Sequence, residues 1–245
     1  MGQHKTKIIA CETVIQENRS LVPASSLCII VESGLHLHPD KLRMALQQAV
    51  DDTPADVKRI ILGFGLCSMA VVGLKSRHST LIVPRVDDCI GIFLGSRKSY
   101  MDEMRKEPGT YFLSKGWIES GVTLVEEFEQ MVDRYGRTRA EKVQRIMLRN
   151  YVRLAFIDMG HDNGTPYREF ARRAAAQFNL RYEEIKGTNR LLKKVLRGPW
   201  DSDFIITPPG HEITHDDFGI TGEAVVAPTQ PNRRHPSARC EDALR

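Results

Sequence analysis

The sequence predicts an α/β fold in which mostly parallel sheets are flanked by helices, and the pattern leaves open a division into two Rossmann-like lobes. Short apolar runs bounded by turn residues recur along the chain, as is typical of buried parallel strands. Segments with apolar residues at helical spacing lie between these runs. Strands that alternate with helices indicate βαβ units, which build a parallel sheet.

In the first half of the chain, predicted strands are separated by turns and helical segments. After the second strand, Pro39 suits the first turn of a helix, and the apolar stripe from Leu42 to Val50 predicts its buried face. Ser68–Leu74 is apolar, has a glycine near its end and predicts a short helix. The predicted strands of this half are Lys5–Ala10, Leu27–Glu32, Val57–Gly63, Thr80–Pro84 and Tyr111–Leu113.

The second half begins with a long helical region and then returns to alternating strands and helices. Val122–Tyr151 predicts a helical pair that is broken near Gly136. Two further helices are predicted, one with a core stripe from Tyr167 to Phe178 and one over Arg190–Leu196, which a Gly-Pro pair stops. The predicted strands of this half are Leu154–Asp158, Arg181–Ile185 and Asp203–Thr207.

The length and the composition shifts predict three regions. A chain of 245 residues is long enough for one large α/β domain or two small lobes with a core. We expect an N-terminal α/β lobe over residues 1–118 and a helical pair with a second α/β lobe over residues 119–215. Residues 216–245 are rich in Pro, Thr and Arg without periodicity, which predicts a flexible tail.

Composition and charge exclude several classes of protein. The net charge of +4 is spread among acidic neighbours, which favours a solvated surface over nucleic-acid binding. No apolar run approaches the roughly 20 residues of a membrane span. The N-terminus has no basic head followed by a long hydrophobic segment, so no signal peptide is predicted. Five cysteines without a compact framework indicate reduced thiols in a cytoplasm.

Cysteines follow three of the predicted strands. Cys11 comes directly after the first strand, Cys67 and Cys89 lie in the turns that follow the third and fourth strands, and ordinary right-handed crossovers bring such positions to one edge of the sheet. Cys11 also precedes a helix, whose dipole lowers the pKa of a thiol. His36 or His38 follows the second strand. Thiolate and imidazole are the ligands that zinc and iron prefer.

The sequence therefore predicts a metal site with Cys11, His36, Cys67 and Cys89 as ligands. The alternative is that each cysteine is a small buried residue and that His36 is a surface or capping residue. Asp88 and Glu12, which neighbour these cysteines, are the predicted catalytic residues. One of Asp87 and Asp88 caps the next helix, and the other is a base or a partner of a metal-bound histidine.

Further residues around the strand ends are candidates for substrate binding. The glycines flanking Phe64 either offer N–H groups to an anion or make a tight turn, and Ser68 breaks a dinucleotide-binding pattern. Arg97 either holds a carboxylate or phosphate or forms a structural salt bridge. Trp117 either walls a pocket or packs in the core. The predicted substrate-binding residues are Gly63, Gly65, Arg85, Ser96, Arg97 and Trp117.

The stretch from Arg59 to Trp117 also carries a resemblance. Its motifs GFGLCxxxVVGL, PRxxDCIGIFLGSRxxY and PGTYFLSKGWI resemble an uncharacterised prokaryotic family, domain-of-unknown-function family sixteen thirty-eight, over about residues 5–215. Members of that family are often found near corrinoid-dependent methyltransferase genes. Its LHxxP pattern falls on Leu35, His36 and Pro39, which favours His36 over His38 as the ligand. The resemblance implies methyl-group or one-carbon metabolism, with a corrinoid or a methyltransferase protein as candidate partners.

Three functions fit these residues. The first is an enzyme whose zinc or iron centre activates a thiol or water against a small-molecule substrate. The second is a metal-free enzyme with a low-pKa cysteine nucleophile, assisted by Asp88 or His36. The third is a non-enzymatic cofactor-binding or accessory protein of a corrinoid methyltransferase system. The first is favoured, because scattered ligands gathered at strand ends are typical of a catalytic or substrate-binding centre.

Overall fold

The computed structural model describes residues 6–24 and 26–219. Lys5, Cys240 and the part of the predicted tail beyond residue 219 lie outside these ranges. Each strand predicted from the sequence lies on a strand of the structure. The strands are β1 Thr6–Cys11, β2 Leu27–Val31, β3 Arg59–Gly63, β4 Thr80–Pro84, β5 Thr110–Ser114, β6 Arg153–Asp158, β7 Arg181–Lys186 and β8 Phe204–Thr207.

Helices connect the strands, as the alternating sequence pattern predicts. The predicted helical pair is present, and Gly136 separates its two members with a φ of 77°. No helix among the described residues is long and apolar enough to cross a membrane. The helices are α1 Glu12–Glu17, α2 Pro39–Asp51, α3 Cys89–Phe93, α4 Arg97–Lys106, α5 Lys115–Glu119, α6 Leu124–Tyr135, α7 Arg137–Leu148, α8 Thr165–Gln177 and α9 Arg190–Arg197.

The strands form two sheets. The first has the order β2-β1-β3-β4-β8, in which the first four strands are parallel and β8 is antiparallel to β4. The second has the order β5-β6-β7 and is parallel throughout. The predicted α/β class with mostly parallel sheets and flanking helices is therefore confirmed. β5 belongs to the second sheet and β8 to the first, so the chain enters the second sheet before residue 118 and later returns to the first.

The central strands are apolar because they are buried on both faces. Ile8, Ile9, Ile60, Ile61 and Leu62 on β1 and β3 are at most 1% exposed. Burying one such side chain contributes about 1.5–3 kcal/mol to folding. A second cluster around Leu154 and Phe156 forms the core of the second sheet. These continuous apolar runs explain why strand positions were readable from the sequence.

The predicted short helix over Ser68–Leu74 is wrong. Cys67, Ser68 and Met69 instead have φ angles of 46°, 55° and 69°, in the left-handed region. The amide of Cys67 donates to the Asp87 carbonyl at 2.9 Å, and that of Gly73 donates to the Ile213 carbonyl at 2.8 Å. These contacts with distant segments hold the turn, and no local sequence pattern predicts them.

Helices α1 and α5 join the two halves of the fold. Thr13 near the start of α1 contacts Ser120 just after α5, while Lys115 at the start of α5 donates to the Gln16 carbonyl near the end of α1. The two helices therefore run in opposite directions. Gly116 fits between them, because a Cβ there would lie 2.2 Å from the Thr13 carbonyl oxygen.

Candidate functional site

The carboxyl ends of β1 and β3 lie beside each other where the strand order of the first sheet reverses. β2 is on one side of β1 and β3 is on the other, and all three are parallel. In open α/β sheets, ligands bind in the crevice outside this point. Cys11 is the last residue of β1, and Cys67 lies in the turn after β3. Two of the predicted ligands therefore flank the position where this sheet type binds ligands.

The turns that carry Cys67 and Cys89 are packed directly on each other. Leu66 and Cys67 donate their amides to the carbonyls of Val86 and Asp87, each at 2.9 Å. A Cβ at Gly65 would lie 2.7 Å from the backbone nitrogen of Asp88, so only glycine fits there. Gly65 therefore lets the backbones of the two turns approach closely. This close approach brings the turns that carry Cys67 and Cys89 together.

Cys67 begins a run of three consecutive left-handed residues that are not glycine. Such a conformation costs roughly 1–2 kcal/mol per residue for L-amino acids, because Cβ approaches the following carbonyl oxygen. It persists only where surrounding contacts hold it, and it occurs often at functional sites. Ser68 and Met69 are exposed, whereas Cys67 is 5% exposed. The strained turn therefore buries the thiol of Cys67 and leaves the side chains of Ser68 and Met69 at the surface.

The three thiols are buried and lie within electrostatic range of one another. Cys11, Cys67 and Cys89 are 1%, 5% and 6% exposed. Burial raises the pKa of the Cys67 and Cys89 thiols well above the ordinary value, and negative charge on Cys11 or Asp88 raises both further. The backbone N–H groups of Gly65 and Cys89 face the Cys67 sulfur and offset part of the rise.

Cys11 precedes α1 as predicted, but its pKa moves in the opposite direction from the prediction. The pKa of the thiol is raised by burial, and this outweighs the N–H groups of Thr13 and Val14, which act to lower it. The loss of hydration is larger than the benefit of a helix of six residues. Burial therefore favours the protonated thiol of Cys11 over a free thiolate.

His36 lies in a 3-10 turn, Ser33–Leu37, that follows β2. Its ring stacks on Phe64 with the centroids 5.9 Å apart, and Phe64 is the residue between Gly63 and Gly65 at the end of β3. The Nε2 atom is shielded from solvent and has no hydrogen-bond partner among the described residues. Burial lowers the pKa of His36 to about 4, so the ring is neutral at pH 7. A shielded and unpaired imidazole nitrogen is a candidate ligand atom.

Asp88 caps α3 by accepting the Ile90 amide at 2.9 Å. Burial raises its pKa to about 6, and a hydrogen bond from Tyr100 acts in the opposite direction. Asp87, the other candidate for the cap, pairs instead with Arg97, whose Nε lies 2.8 Å from the carboxylate. Of the two aspartates, Asp88 is therefore the one that caps the helix, and Arg97 forms a salt bridge with Asp87.

The remaining predicted residues lie around this edge in different roles. Ser96 caps α4 through the Ser99 amide, and Trp117 packs edge-on against Phe93 with ring centroids 5.6 Å apart. Glu12 accepts from the Ser33 hydroxyl at 3.5 Å.

Gly63 and Arg85 are also engaged by protein groups. A Cβ at Gly63 would lie 2.5 Å from that of Ala10, which allows close pairing of β3 with β1. Arg85 donates to the Asp217 carbonyl at 2.5 Å, although its Nε has no partner among the described residues. Substrate contact by these residues and by Ser96, Arg97 and Trp117 stays a prediction.

The ligand set is not preassembled. Within residues 6–24 and 26–219, no group of three or more histidine, cysteine and acidic side chains is arranged so that it could hold a metal ion. The loop histidines His211 and His215, four residues apart in the sequence, are both exposed. The thiols are thus neighbours without being at coordination distances.

One buried acidic group was not found from the sequence. Glu17 is 0% exposed, and its carboxylate accepts hydrogen bonds from Ser114, from the Gly116 amide and from His161. The residues come from α1, from the end of β5, from the start of α5 and from the loop after β6. A single glutamate at the end of a helix gives no sequence signal that distinguishes it from a surface charge.

Comparison with known proteins gives a match at the level of a family. A family model described as "Protein of unknown function (DUF1638)" matches residues 30–196, about two-thirds of the chain. The matched range includes His36, Cys67 and Cys89 and begins after Cys11. No curated protein and no solved structure matches the chain.

Proposed function

The chain belongs to the DUF1638 family of proteins of unknown function, and we propose that it is a metalloprotein with a zinc or iron centre. Cys11, Cys67 and Cys89 supply thiolate ligands, and His36 supplies the fourth. The centre lies at the carboxyl edge of the first sheet, outside β1 and β3. An enzymatic role for this centre is part of the proposal.

The observation that carries the proposal is the gathering of three buried thiols from three separate strand ends. Cys11 ends β1, Cys67 follows β3 and Cys89 begins α3 after β4. Burial raises the pKa of all three thiols, and negative charge on Cys11 raises the pKa of Cys67 and Cys89 further, so these two thiols are harder to ionise together than apart. A dication reverses this balance, because it deprotonates the thiols that coordinate it. The cluster is therefore suited to thiolates only with a cation among them.

The imidazole of His36 has the protonation state that a metal ligand needs. Metals bind the neutral imidazole, and the lowered pKa of His36 leaves the ring neutral throughout the physiological range. The Nε2 atom of His36 makes no hydrogen bond with any of the described residues, so its lone pair can coordinate a metal in the tautomer that carries the proton on Nδ1. Since the ligands are not preassembled, we propose that the metal draws the turns at Cys67 and Cys89 and the turn at His36 together as it binds.

The ligand types limit the metal and the chemistry. Three thiolates and one imidazole match tetrahedral zinc and also suit iron. If a substrate or water replaces His36, the ion acts as a Lewis acid or activates a nucleophile. Asp88, with a pKa near 6, is then placed to exchange protons close to Cys89. The involvement of methyl groups, of one-carbon units or of a corrinoid stays a prediction from the family resemblance.

A metal-free cysteine nucleophile is less well supported by the same geometry. Nucleophilic cysteines have lowered pKa values and lie near cations or at partly exposed positions. The pKa values of Cys11, Cys67 and Cys89 are all raised by burial. For the accessory-protein alternative, we find no specific observation that favours it over a metal-dependent enzyme.

Elemental analysis of anaerobically prepared protein tests the proposal. We expect about one zinc or iron ion per chain in the unsubstituted protein, and a large loss of metal in Cys67→Ser and Cys89→Ser. Cys28→Ser is the matched control, because Cys28 lies on edge strand β2; burial raises the pKa of its thiol, and the charge that acts on it is that of Arg19 and not of another thiol. Replacement by cobalt(II) is expected to give a thiolate charge-transfer band. Equal metal content in all three variants would contradict the assignment.

A further inference from the structure

The outer strand of the first sheet is apolar and exposed. β2 lies at the end of the sheet, so one side of its backbone pairs with β1 and the other side pairs with no described strand. Its residues LCIIV carry no charge, and Leu27, Ile29 and Ile30 are 46%, 42% and 40% exposed. Because successive side chains on a strand point to opposite faces, apolar surface is exposed on both faces of β2.

The other three sheet edges in the described part of the chain are covered or protected. Every residue of β5 is buried. Four of the six residues of β7 are charged, and β8 has a single exposed residue, Ile206, and is followed by Pro208 and Pro209. Burial, charged side chains and proline all prevent a further strand from pairing at an edge. Leu27–Val31 has none of these protections, so β2 is the edge that is open to another strand.

Exposed apolar side chains are concentrated around β2. Among the described residues, ten large hydrophobic side chains are exposed, and half of them lie on β2, on the 3-10 turn that follows it and on α2, which packs against β2. These five are Leu27, Ile29, Ile30, Leu37 and Met44. Monomeric proteins rarely expose large contiguous apolar patches, and such patches mark contacts with partners. The open edge therefore belongs to an interaction surface.

The charges beside β2 fit a second copy of the same strand. Arg19 lies near the first half of β2, because its charge acts on the Cys28 thiol, whereas Glu32 directly follows the strand. Both side chains are exposed, and neither forms a salt bridge with another described residue. In an antiparallel pair, the beginning of one strand lies beside the end of the other. Pairing of two β2 strands thus brings Arg19 of each copy towards Glu32 of the other.

We propose that β2 pairs with β2 of a second copy of this chain, antiparallel and about a two-fold axis beside Ile29. With the axis at this middle residue, all five residues are paired and the two five-stranded sheets become one continuous sheet. A two-fold contact uses the same surface on both copies. Since the strand is uncharged, the contact brings no like charges opposite each other. The inference is independent of the proposed metal centre.

Sedimentation equilibrium of the full chain tests the pairing. We expect a dimer of twice the chain mass of 27.7 kDa, and dimerisation weakened about tenfold or more in Ile29→Lys, because two lysines then face each other at the axis. Ile206→Lys is the matched control, since Ile206 is 52% exposed on β8 at the opposite edge of the same sheet. Circular dichroism checks that both variants fold. A monomer throughout the micromolar range, or equal dimerisation of the two variants, would overturn the proposal.

Cysteine cross-linking tests the register without a charged substitution. Directly opposed residues of an antiparallel pair have Cα atoms about 4.5–5.5 Å apart, which a disulfide can span. Ile29→Cys, in a background of Cys28→Ser and Cys240→Ser, is therefore expected to give a covalent dimer under mild oxidation with diamide. Ile206→Cys in the same background is expected to remain a single chain on a non-reducing gel. Absence of the Ile29→Cys cross-link, or equal cross-linking from both positions, would contradict the proposed pairing.

Discussion

At the scale of single residues, the turn at Cys67 keeps an unfavourable backbone conformation because other contacts hold it. Ser68 has a φ of 55° with an exposed side chain, so its side chain contributes little that would offset the strain. Glycine adopts this conformation without the steric cost, although it also gains freedom in the unfolded chain. The net effect is therefore expected to be a modest stabilisation on replacement by glycine.

We predict that Ser68→Gly raises the free energy of unfolding by about 0.5–1 kcal/mol. Ser68→Ala is the matched control, because alanine has the same steric cost as serine in the left-handed region. The urea midpoint of the three proteins measures the difference. A lower midpoint in Ser68→Gly than in Ser68→Ala would show that the turn is not strained at this residue.

Two titrating residues near the site have opposite effects on stability. The folded-state pKa of Asp88 is raised to about 6 from 3.8, so between these pH values the native state binds more protons than the unfolded state. Its contribution to stability therefore falls as the pH rises through this window. The pKa of His36 is lowered to about 4 from 6.5, so its contribution rises with pH over an overlapping window.

We predict that Asp88→Asn removes a loss of stability between about pH 4 and 6, because asparagine still caps a helix but does not titrate. His36→Gln is predicted to change the slope with the opposite sign. Urea unfolding of apo-protein at several pH values gives both slopes. Parallel curves for the variants and the unsubstituted protein would mean that the pKa of neither group differs between the folded and the unfolded state.

At the scale of elements, the close packing of two turns decides whether the thiols meet. Gly65 touches the backbone of the Asp88 turn and not a flexible side chain, so an added methyl group has no easy way to fit. Gly34 offers a comparison, since a Cβ there meets nothing within 4 Å and its φ is not positive.

We predict that Gly65→Ala destabilises the fold by about 1–3 kcal/mol and lowers metal content, because it separates the turns at Cys67 and Cys89. Gly34→Ala, as the control, is expected to change both quantities little. Thermal unfolding and elemental analysis on the same preparations measure the two effects. Full metal content in a destabilised Gly65→Ala protein would show that the turns need not stay in contact to hold the ion.

At the scale of the whole molecule, the sequence predicted what local patterns encode. Apolar runs such as Ile60–Gly63 gave the strands, and parallel strands placed Cys11 and Cys67 at a common edge of the first sheet. The antiparallel addition of β8 to β4 and the contact of Glu17 with His161 depend on segments more than a hundred residues apart. No spacing or periodicity within either segment indicates such a partner, so these contacts were not predicted.

The junction of α1 and α5 is the part of the fold on which both the position of Cys11 and the Glu17–His161 contact depend. Cys11 precedes α1 and Glu17 ends it, so a shift of this helix against α5 moves both residues. A Cβ at Gly116 would lie 2.2 Å from the Thr13 carbonyl oxygen and 3.0 Å from the Glu17 carboxylate. The backbone contact cannot be relieved by a rotamer change, so the helices must separate.

We therefore predict that Gly116→Ala destabilises the protein by about 1–3 kcal/mol and alters the tautomer equilibrium of His161, since the Gly116 amide and His161 share the Glu17 carboxylate. Urea unfolding and the histidine ring spectrum measure the two effects, with Gly34→Ala as the control. A variant with an unchanged His161 spectrum and normal stability would show that the two helices tolerate a wider separation. In that case, Glu17 would not depend on the packing of α1 against α5 to reach His161.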